Sequence, residues 1–156
     1  MNFIWKKKIF WIKFGDYMRQ VSVSGKSFPD IIYNSKLIIE DNKLWQVLCG
    51  DEGRWRCGIY SPEIITAAEI KEYESHTCPE LFLLIEGAIT LALFCENKGF
   101  YEIELQKNIP VLVTDYHSGY SKNGKYTGKA LVIERDFFST TYKTKNELSN
   151  VILKKD

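Results

Sequence analysis

From residue 36 onward, short apolar stretches alternate with turn residues along the chain. The stretch Arg54–Tyr60 shows the pattern best, because Trp55, Cys57 and Ile59 alternate with Arg54, Arg56 and Gly58. This period of two is typical of a strand with one face in a core. The same reasoning predicts strands at Lys36–Ile39, Leu44–Cys49, Arg54–Tyr60, Glu69–Thr77, Leu81–Ile85, Ala88–Cys95, Phe100–Leu105, Ile109–Val113 and Lys129–Glu134.

Helical patterns are few in the remaining segments. Asn146–Asp156 is predicted as a short helix or a loose tail, and Ile64–Ala68 as a short strand or a turn. Tyr116–Gly128 is rich in Gly, Ser, Asn and Tyr and is predicted as a long loop, which suits a functional role. Many short strands with regular turn signals favour a single all-β sandwich or barrel.

The composition is that of a globular protein. The 156 residues allow one domain, or one domain with a tail. A formal charge of +1 gives no reason to expect nucleic acid as a partner. The hydrophobic share of 45% argues against a disordered chain. Only two histidines occur, His76 and His117, so any histidine chemistry must use one or both of them.

The four cysteines form no CxxC pair, which argues against a zinc knuckle or a thioredoxin-like site. No secretory signal is evident, so we expect free thiols in a reducing compartment and predict a cytoplasmic protein.

The segment Met1–Phe14 is apolar but is interrupted by four lysines. Its apolar runs are far shorter than the roughly 20 residues of a spanning helix, so no membrane partner is predicted. The alternatives are a surface-bound amphipathic segment, an extra strand, a docking helix, or a start assigned too early, with Met18 as the true start.

Four side chains that can bind a metal stand at even spacing within the segment Glu74–Gly87: Glu74, His76, Cys78 and Glu80. A regular strand would direct all four to the same face, the barrel interior. Burying carboxylates and an imidazole together is costly unless a cation compensates them. Carboxylate and imidazole ligands suit Mn, Fe, Ni, Co or Zn.

The segment resembles the first metal-binding motif of the cupin superfamily. That motif has two ligands one residue apart, then a Glu, and then six residues before a Gly, which matches Glu80 and Gly87. His76 takes the place of the second family histidine and Glu74 that of the first. Ala68 stands where the motif usually opens with Gly.

A second stretch resembles the other cupin motif, which has an apolar strand, a turn and one histidine. Here Ile109–Val113 is followed by a turn and His117, with Thr114 in place of the usual Gly. The resemblance covers about Trp45 to Phe138. It implies a single cupin-type β-barrel, a jelly-roll-like double-stranded β-helix with little helix. We place this barrel at residues 36–140, between an N-terminal extension at 1–35, which could exchange strands between protomers, and a tail at 141–156.

The resemblance also implies a divalent transition metal held by Glu74, His76, Glu80 and His117. Glu74 departs from the family histidine, so it either completes a harder ligand set or serves as a general base. Cys78 would reach the metal only through a bulge, and otherwise lines the barrel.

Substrate contacts are predicted for Arg54, Arg56, Tyr60 and Tyr116. An inward Arg could pair with a carboxylate or phosphate, whereas an outward one would be an exposed surface residue. Tyr116 would cover the pocket mouth or lie on the surface. Trp45 and Trp55 are predicted to belong to the core.

Two classes of function fit these features. The first is a metal-dependent enzyme acting on a small-molecule substrate, a sugar or organic acid, as an isomerase or epimerase, or with iron as a dioxygenase. The second is a non-enzymatic cupin that binds or senses a small ligand. The apolar stretch Phe3–Phe14 would suit an exchanged segment, so we predict a homodimer.

Overall fold

The computed structural model describes residues 21–22 and 34–153, and most of the regular structure in these residues is strand. The predicted Phe3–Phe14 interface segment, the alternative start at Met18 and most of the 1–35 extension lie outside the described residues. The elements are β1 (Val21–Ser22), β2 (Trp45–Asp51), β3 (Trp55–Tyr60), a 3-10 helix (Ala67–Glu69), β4 (Glu72–His76), β5 (Glu80–Glu86), β6 (Thr90–Cys95), β7 (Gly99–Glu104), β8 (Val111–Val113), β9 (Tyr116–Tyr120), β10 (Lys129–Arg135), β11 (Ser139–Thr144) and α1 (Lys145–Leu153).

The strands form two antiparallel sheets. One has the order β1-β11-β4-β9-β6-β7, and the other β2-β3-β10-β5-β8. The eight strands β3 to β10 pass repeatedly between the sheets, giving the four-strand orders β3-β10-β5-β8 and β4-β9-β6-β7. This is a jelly roll, the double-sheet architecture of cupins. The prediction of an all-β, jelly-roll-like barrel with little helix is therefore confirmed.

The main core fills one end of the space between the sheets. It contains Phe82, Leu84, Ile89, Leu91, Leu93, Leu105, Val113, Ala130 and Val132. Along β5 the inward positions change from Leu84 and Phe82 to Glu80, and along β10 from Ala130 and Val132 to Glu134. The interior is therefore apolar at one end and polar at the other.

A second cluster lies on the outer face of the six-stranded sheet. Leu148 of α1 is fully buried there and packs with Tyr73, Ala92 and Phe94. The helix begins with a capping box, in which Thr144 N donates to Glu147 Oε2 at 2.7 Å and Glu147 N donates to Thr144 Oγ1 at 3.3 Å. Asn146–Asp156 is thus mainly helical over its described part, and β11 crosses the predicted start of the tail at residue 141.

Several local predictions were wrong. Lys36–Ile39 forms no strand. Of the two alternatives for Ile64–Ala68, the strand is not formed, and the segment ends within the 3-10 helix. The predicted loop at Tyr116–Gly128 begins as β9, because this strand pairs with both β4 and β6 although its sequence is only weakly apolar. Trp55, predicted in the core, is 44% exposed at the start of β3.

The four cysteines are free thiols, as predicted. Among the described residues, no helix has the length and apolar character needed to cross a membrane.

Candidate metal centre

The candidate site lies at the polar end of the interior, where both sheets contribute side chains. Strand β4 supplies Glu74 and His76, β9 supplies His117, and β5 supplies Glu80 from the opposite sheet. Glu74 pairs directly with His117 across β4 and β9, so the two side chains stand on the same face. Residues far apart in sequence are thus brought together by strand register.

The segment from Glu74 to Glu80 is not one regular strand, so the condition under which all four even-numbered side chains would share a face is not met. Strand β4 ends at His76 and β5 begins at Glu80, because the chain crosses between the sheets through a bend. The alternation does not continue through this bend. Cys78 is buried within it, and it belongs to neither of the donor groups found among the described residues.

Both imidazoles place Nε2 close to one carboxylate oxygen. Glu80 Oε2 lies 2.8 Å from His117 Nε2 and 3.2 Å from His76 Nε2. Glu74 is more distant, with its oxygens 3.9 Å from each of these nitrogens. The donor atoms form two groups, and within each group all of them lie within 4.8 Å of one another. The first group is Glu74, His76 and His117, and the second is His76, Glu80 and Glu134.

The other ring nitrogens are already engaged, which determines the tautomer of neutral His117. His117 Nδ1 lies 3.0 Å from the Asp115 carbonyl oxygen, which can only accept, so Nδ1 must donate. A neutral His117 therefore presents the Nε2 lone pair to Glu80. His76 Nδ1 lies 2.8 Å from Thr140 Oγ1, which is suited to hold His76 in the same tautomer.

Burial and neighbouring charges give the two histidines opposite titration behaviour. For His117, burial lowers the pKa, but the Glu80 and Glu74 carboxylates outweigh it and raise the pKa to about 9. For His76, burial prevails over the attraction of Glu80 and lowers the pKa to about 4. Burial would raise the pKa of Glu80, yet the two histidines bring it below its usual value. Without a metal, one proton on His117 therefore balances Glu80.

The surroundings of Glu80 Oε2 indicate whether the site suits a cation. This oxygen is fully buried and, among the described residues, has no hydrogen-bond partner. The 2.8 Å contact with His117 is short enough for an ion pair but lacks hydrogen-bond geometry, so the atom retains a free lone pair. A buried carboxylate oxygen beside two imidazole nitrogens is strongly unfavourable unless a proton or a metal ion lies between them. The donor set therefore fits a divalent transition metal.

A cavity of about 270 Å³ opens beside these donors. Its lining residues are Leu44, Trp45, Arg56, Tyr60, Glu74, His76, Glu80, Phe82, His117, Ser118, Val132, Glu134, Phe138, Thr140 and Tyr142. Of the four predicted substrate contacts, the structure brings Arg56 and Tyr60 to this cavity.

The structure does not bring Arg54 and Tyr116 to the cavity. The Arg54 side chain is 79% exposed and pairs with Asp51 in the turn before β3. Tyr116 immediately precedes His117 in β9, so alternation directs it to the outer face of the sheet, against the second cluster.

Glu134 is the main site residue that the sequence reasoning missed. It is buried, and its Oε1 accepts a hydrogen bond from Arg56 Nε at 2.6 Å. Burial and the nearby Glu80 raise the pKa of Glu134 to about 7, against the opposing effect of Arg56. The signal was present in the alternation of Ala130, Val132 and Glu134 along one face of the predicted strand.

Thr140 should control metal affinity through His76. We expect Thr140→Val to weaken transition-metal binding by about 10- to 100-fold, because it removes the hydroxyl that orients the imidazole. Thr140→Ser should retain most of the affinity, and the neighbouring Thr141→Val serves as the control. Competition with a fluorescent chelator measures the affinities, and wild-type affinity in Thr140→Val would contradict this role.

No protein-family model matches the sequence, and no curated protein matches it. The structure resembles the cobalt(II) form of HppE in complex with Tris buffer, with 16% identity over 68% of this chain and 59% of that chain and a TM-score of 0.46. It also resembles hydroxypropylphosphonic acid epoxidase from S. wedmorenis, with 16% identity over 69% of this chain and 62% of that chain and a TM-score of 0.45.

This chain thus spans about three fifths of the length of these structures. Because the TM-scores are low, the fold assignment rests on the strand order alone.

Proposed function

We propose that this protein is a metal-dependent small cupin enzyme that transfers protons on a small polar molecule, as a sugar or organic-acid isomerase or epimerase does. The observation that carries the proposal is the convergence of two imidazole nitrogens on the unpartnered Glu80 Oε2, beside a carboxylate that opens to a cavity.

His76, His117 and Glu80 would hold the metal, with Glu74 either as a fourth ligand or free beside it. A bound divalent metal would act as a Lewis acid that polarises a carbonyl or binds a diolate. Glu80, buried among the donors, offsets positive charge in the site. The apolar walls formed by Phe82 and Val132 limit water around the occupant.

Glu74 is the residue we assign as the general base. Its side chain is 35% exposed, whereas Glu80 is 8% exposed, so Glu74 is the carboxylate that an occupant of the cavity can reach. Burial raises the pKa of Glu74 more than His117 lowers it, which makes the carboxylate more basic. Tyr142, paired with Glu74 across β4 and β11, hydrogen-bonds the carboxylate and orients it.

One observation favours a second candidate, an iron-dependent oxygenase. If Glu74 is not a ligand, His76, His117 and Glu80 form the two-histidine, one-carboxylate set that is typical of non-haem Fe(II) oxygenases.

Isotope exchange and oxygen uptake distinguish the two candidates. Metal-loaded protein is incubated without oxygen in D2O with a panel of sugars and 2-hydroxy acids, and C–H exchange is followed by NMR. The first proposal predicts exchange that Glu74→Gln abolishes while retaining the metal. Oxygen consumption by the Fe(II) form with no exchange would instead favour the oxygenase. If no member of the panel gave exchange or oxygen consumption, that outcome would count against an enzyme of this class.

Metal binding should release about one proton at pH 7.5. His117 is protonated there because its pKa is about 9, and it must lose that proton to bind a metal, whereas His76, with a pKa of about 4, is already neutral. Affinity should therefore rise about tenfold per pH unit up to roughly pH 9 and then level off. Calorimetry in buffers of different ionisation enthalpy counts the protons, and a count of zero would contradict this charge state.

A further inference from the structure

Arg56 stands in the interior, where a charge is not expected without a reason. Its side chain is 8% exposed, and that of its partner Glu134 is 2% exposed. Desolvating such a pair often costs more than the attraction returns, so a buried ion pair is weak evidence of a stabilising role. The position of the pair in the cavity wall, next to the candidate metal ligands, suggests a role in binding.

The guanidinium is held in one orientation. Its central carbon lies 4.9 Å from the Phe138 ring centroid and 5.6 Å from that of Trp45. Phe138 also contacts the His76 ring, with centroids 4.7 Å apart. Aromatic rings at these distances attract the cation and restrict its rotation. The same ring therefore links the position of Arg56 to that of a metal ligand.

Most of the hydrogen-bonding capacity of Arg56 is unused. A guanidinium has five N–H donors. Among the described residues, its one hydrogen bond is from Nε to Glu134 Oε1. Arg56 lines the cavity, and neither of its Nη atoms hydrogen-bonds another described residue.

We propose that the cavity takes a small carboxylic acid whose carboxylate binds the Nη edge of Arg56 while an adjacent oxygen faces the metal donors. Two parallel N–H groups match the two oxygens of a carboxylate. The anchor and the donors are close, because Glu134 contacts Arg56 at 2.6 Å and lies within 4.8 Å of the His76 and Glu80 donor atoms. The cavity, about 270 Å³, is below the range of about 300–1,000 Å³ for typical ligand pockets, so the acid must be small.

The part of this proposal that concerns the metal rests on the proposed function, whereas the part that concerns Arg56 does not. The probes are therefore 2-hydroxybutanoate and 1,2-butanediol, which share a carbon skeleton and differ in the carboxylate. Each is titrated by ligand-observed NMR into the full chain, both metal-free and loaded with Zn²⁺. We expect the acid to bind at least tenfold more tightly than the diol in both forms.

Variants assign the preference to Arg56. Arg56→Lys keeps the charge and the pair with Glu134 but loses the two parallel N–H donors of the guanidinium. It should therefore reduce the preference for the acid over the diol at least fivefold. Arg56→Met with Glu134→Leu removes both charges together, avoids an unpaired carboxylate and should abolish the preference. Arg54→Lys, two residues away on the exterior, is the matched control and should behave as wild type.

Equal binding of acid and diol to wild type would overturn the proposal, as would an unchanged preference in the double variant. Binding of Zn²⁺ is measured separately. An Arg56-dependent preference in a protein that binds no Zn²⁺ would leave the anion site standing while the proposed metalloenzyme fails. Zn²⁺ binding with no preference for the acid would leave the metal site standing while the proposed anion site at Arg56 fails.

Discussion

Replacing His117 with alanine is expected to reduce transition-metal affinity by more than the 10- to 100-fold that is typical for loss of an outer hydrogen bond, because it removes a ligand itself. His117 is fully buried and approaches Glu80 more closely than His76 does, at 2.8 Å against 3.2 Å. Its Nδ1 is fixed by the Asp115 carbonyl, so the ring is pre-oriented for binding. A fluorescent-chelator competition with Zn²⁺ or Mn²⁺ measures the loss.

Two further variants control for folding and position. His117→Gln keeps a polar side chain against Glu80 and should fold while losing most of the affinity. Tyr116→Phe changes the neighbouring residue on the outer face and should bind metal as wild type does. Metal binding by both His117 variants with wild-type affinity would show that the donors do not act as a site.

Replacing Gly87 with alanine is expected to lower the free energy of unfolding by roughly 2–5 kcal/mol, from the combined costs of backbone strain and overpacking. Gly87 has φ of 63°, which an L side chain rarely adopts, and a Cβ there would lie 2.0 Å from the Thr127 carbonyl oxygen. The obstacle is backbone, so it cannot move aside as a flexible side chain could. Urea unfolding followed by circular dichroism measures the change.

Gly53 provides the matched control. It has φ of 79°, but a Cβ there would meet no atom within 4 Å. Gly53→Ala should therefore cost only about 1 kcal/mol, from the backbone conformation alone. Equal losses in the two variants would show that close approach to Thr127 does not explain the glycine.

The positive φ at Gly87 explains why the sequence motif was informative about the fold. The spacing between Glu80 and Gly87 is the length of β5 plus the tight turn that follows, and that turn requires a positive φ. Period-two alternation likewise located most of the strands, because one face of each is buried. It did not locate β9, whose pairing with two neighbouring strands stabilises a sequence of weak apolar character.

The candidate site was predictable only in part. His76 and His117 were identifiable because they are the only histidines, and the motif spacing added Glu80 and Glu74. The even spacing through Cys78 was misleading, because the chain changes sheets there and the alternation ends. Thr140 enters the site through the pairing of β11 with β4, which a single sequence does not encode locally. Glu134 instead continues the alternation of buried positions along β10, which the sequence does carry.

The central claim is that His76, His117 and Glu80 hold one divalent metal ion. Crystals of Zn²⁺-loaded protein, measured on both sides of the zinc absorption edge, test it most directly. We predict one anomalous peak, about 2.0–2.2 Å from His76 Nε2, His117 Nε2 and a Glu80 carboxylate oxygen. The absence of a peak there in protein that has been supplied with Zn²⁺, or a peak held by other side chains, would contradict the account.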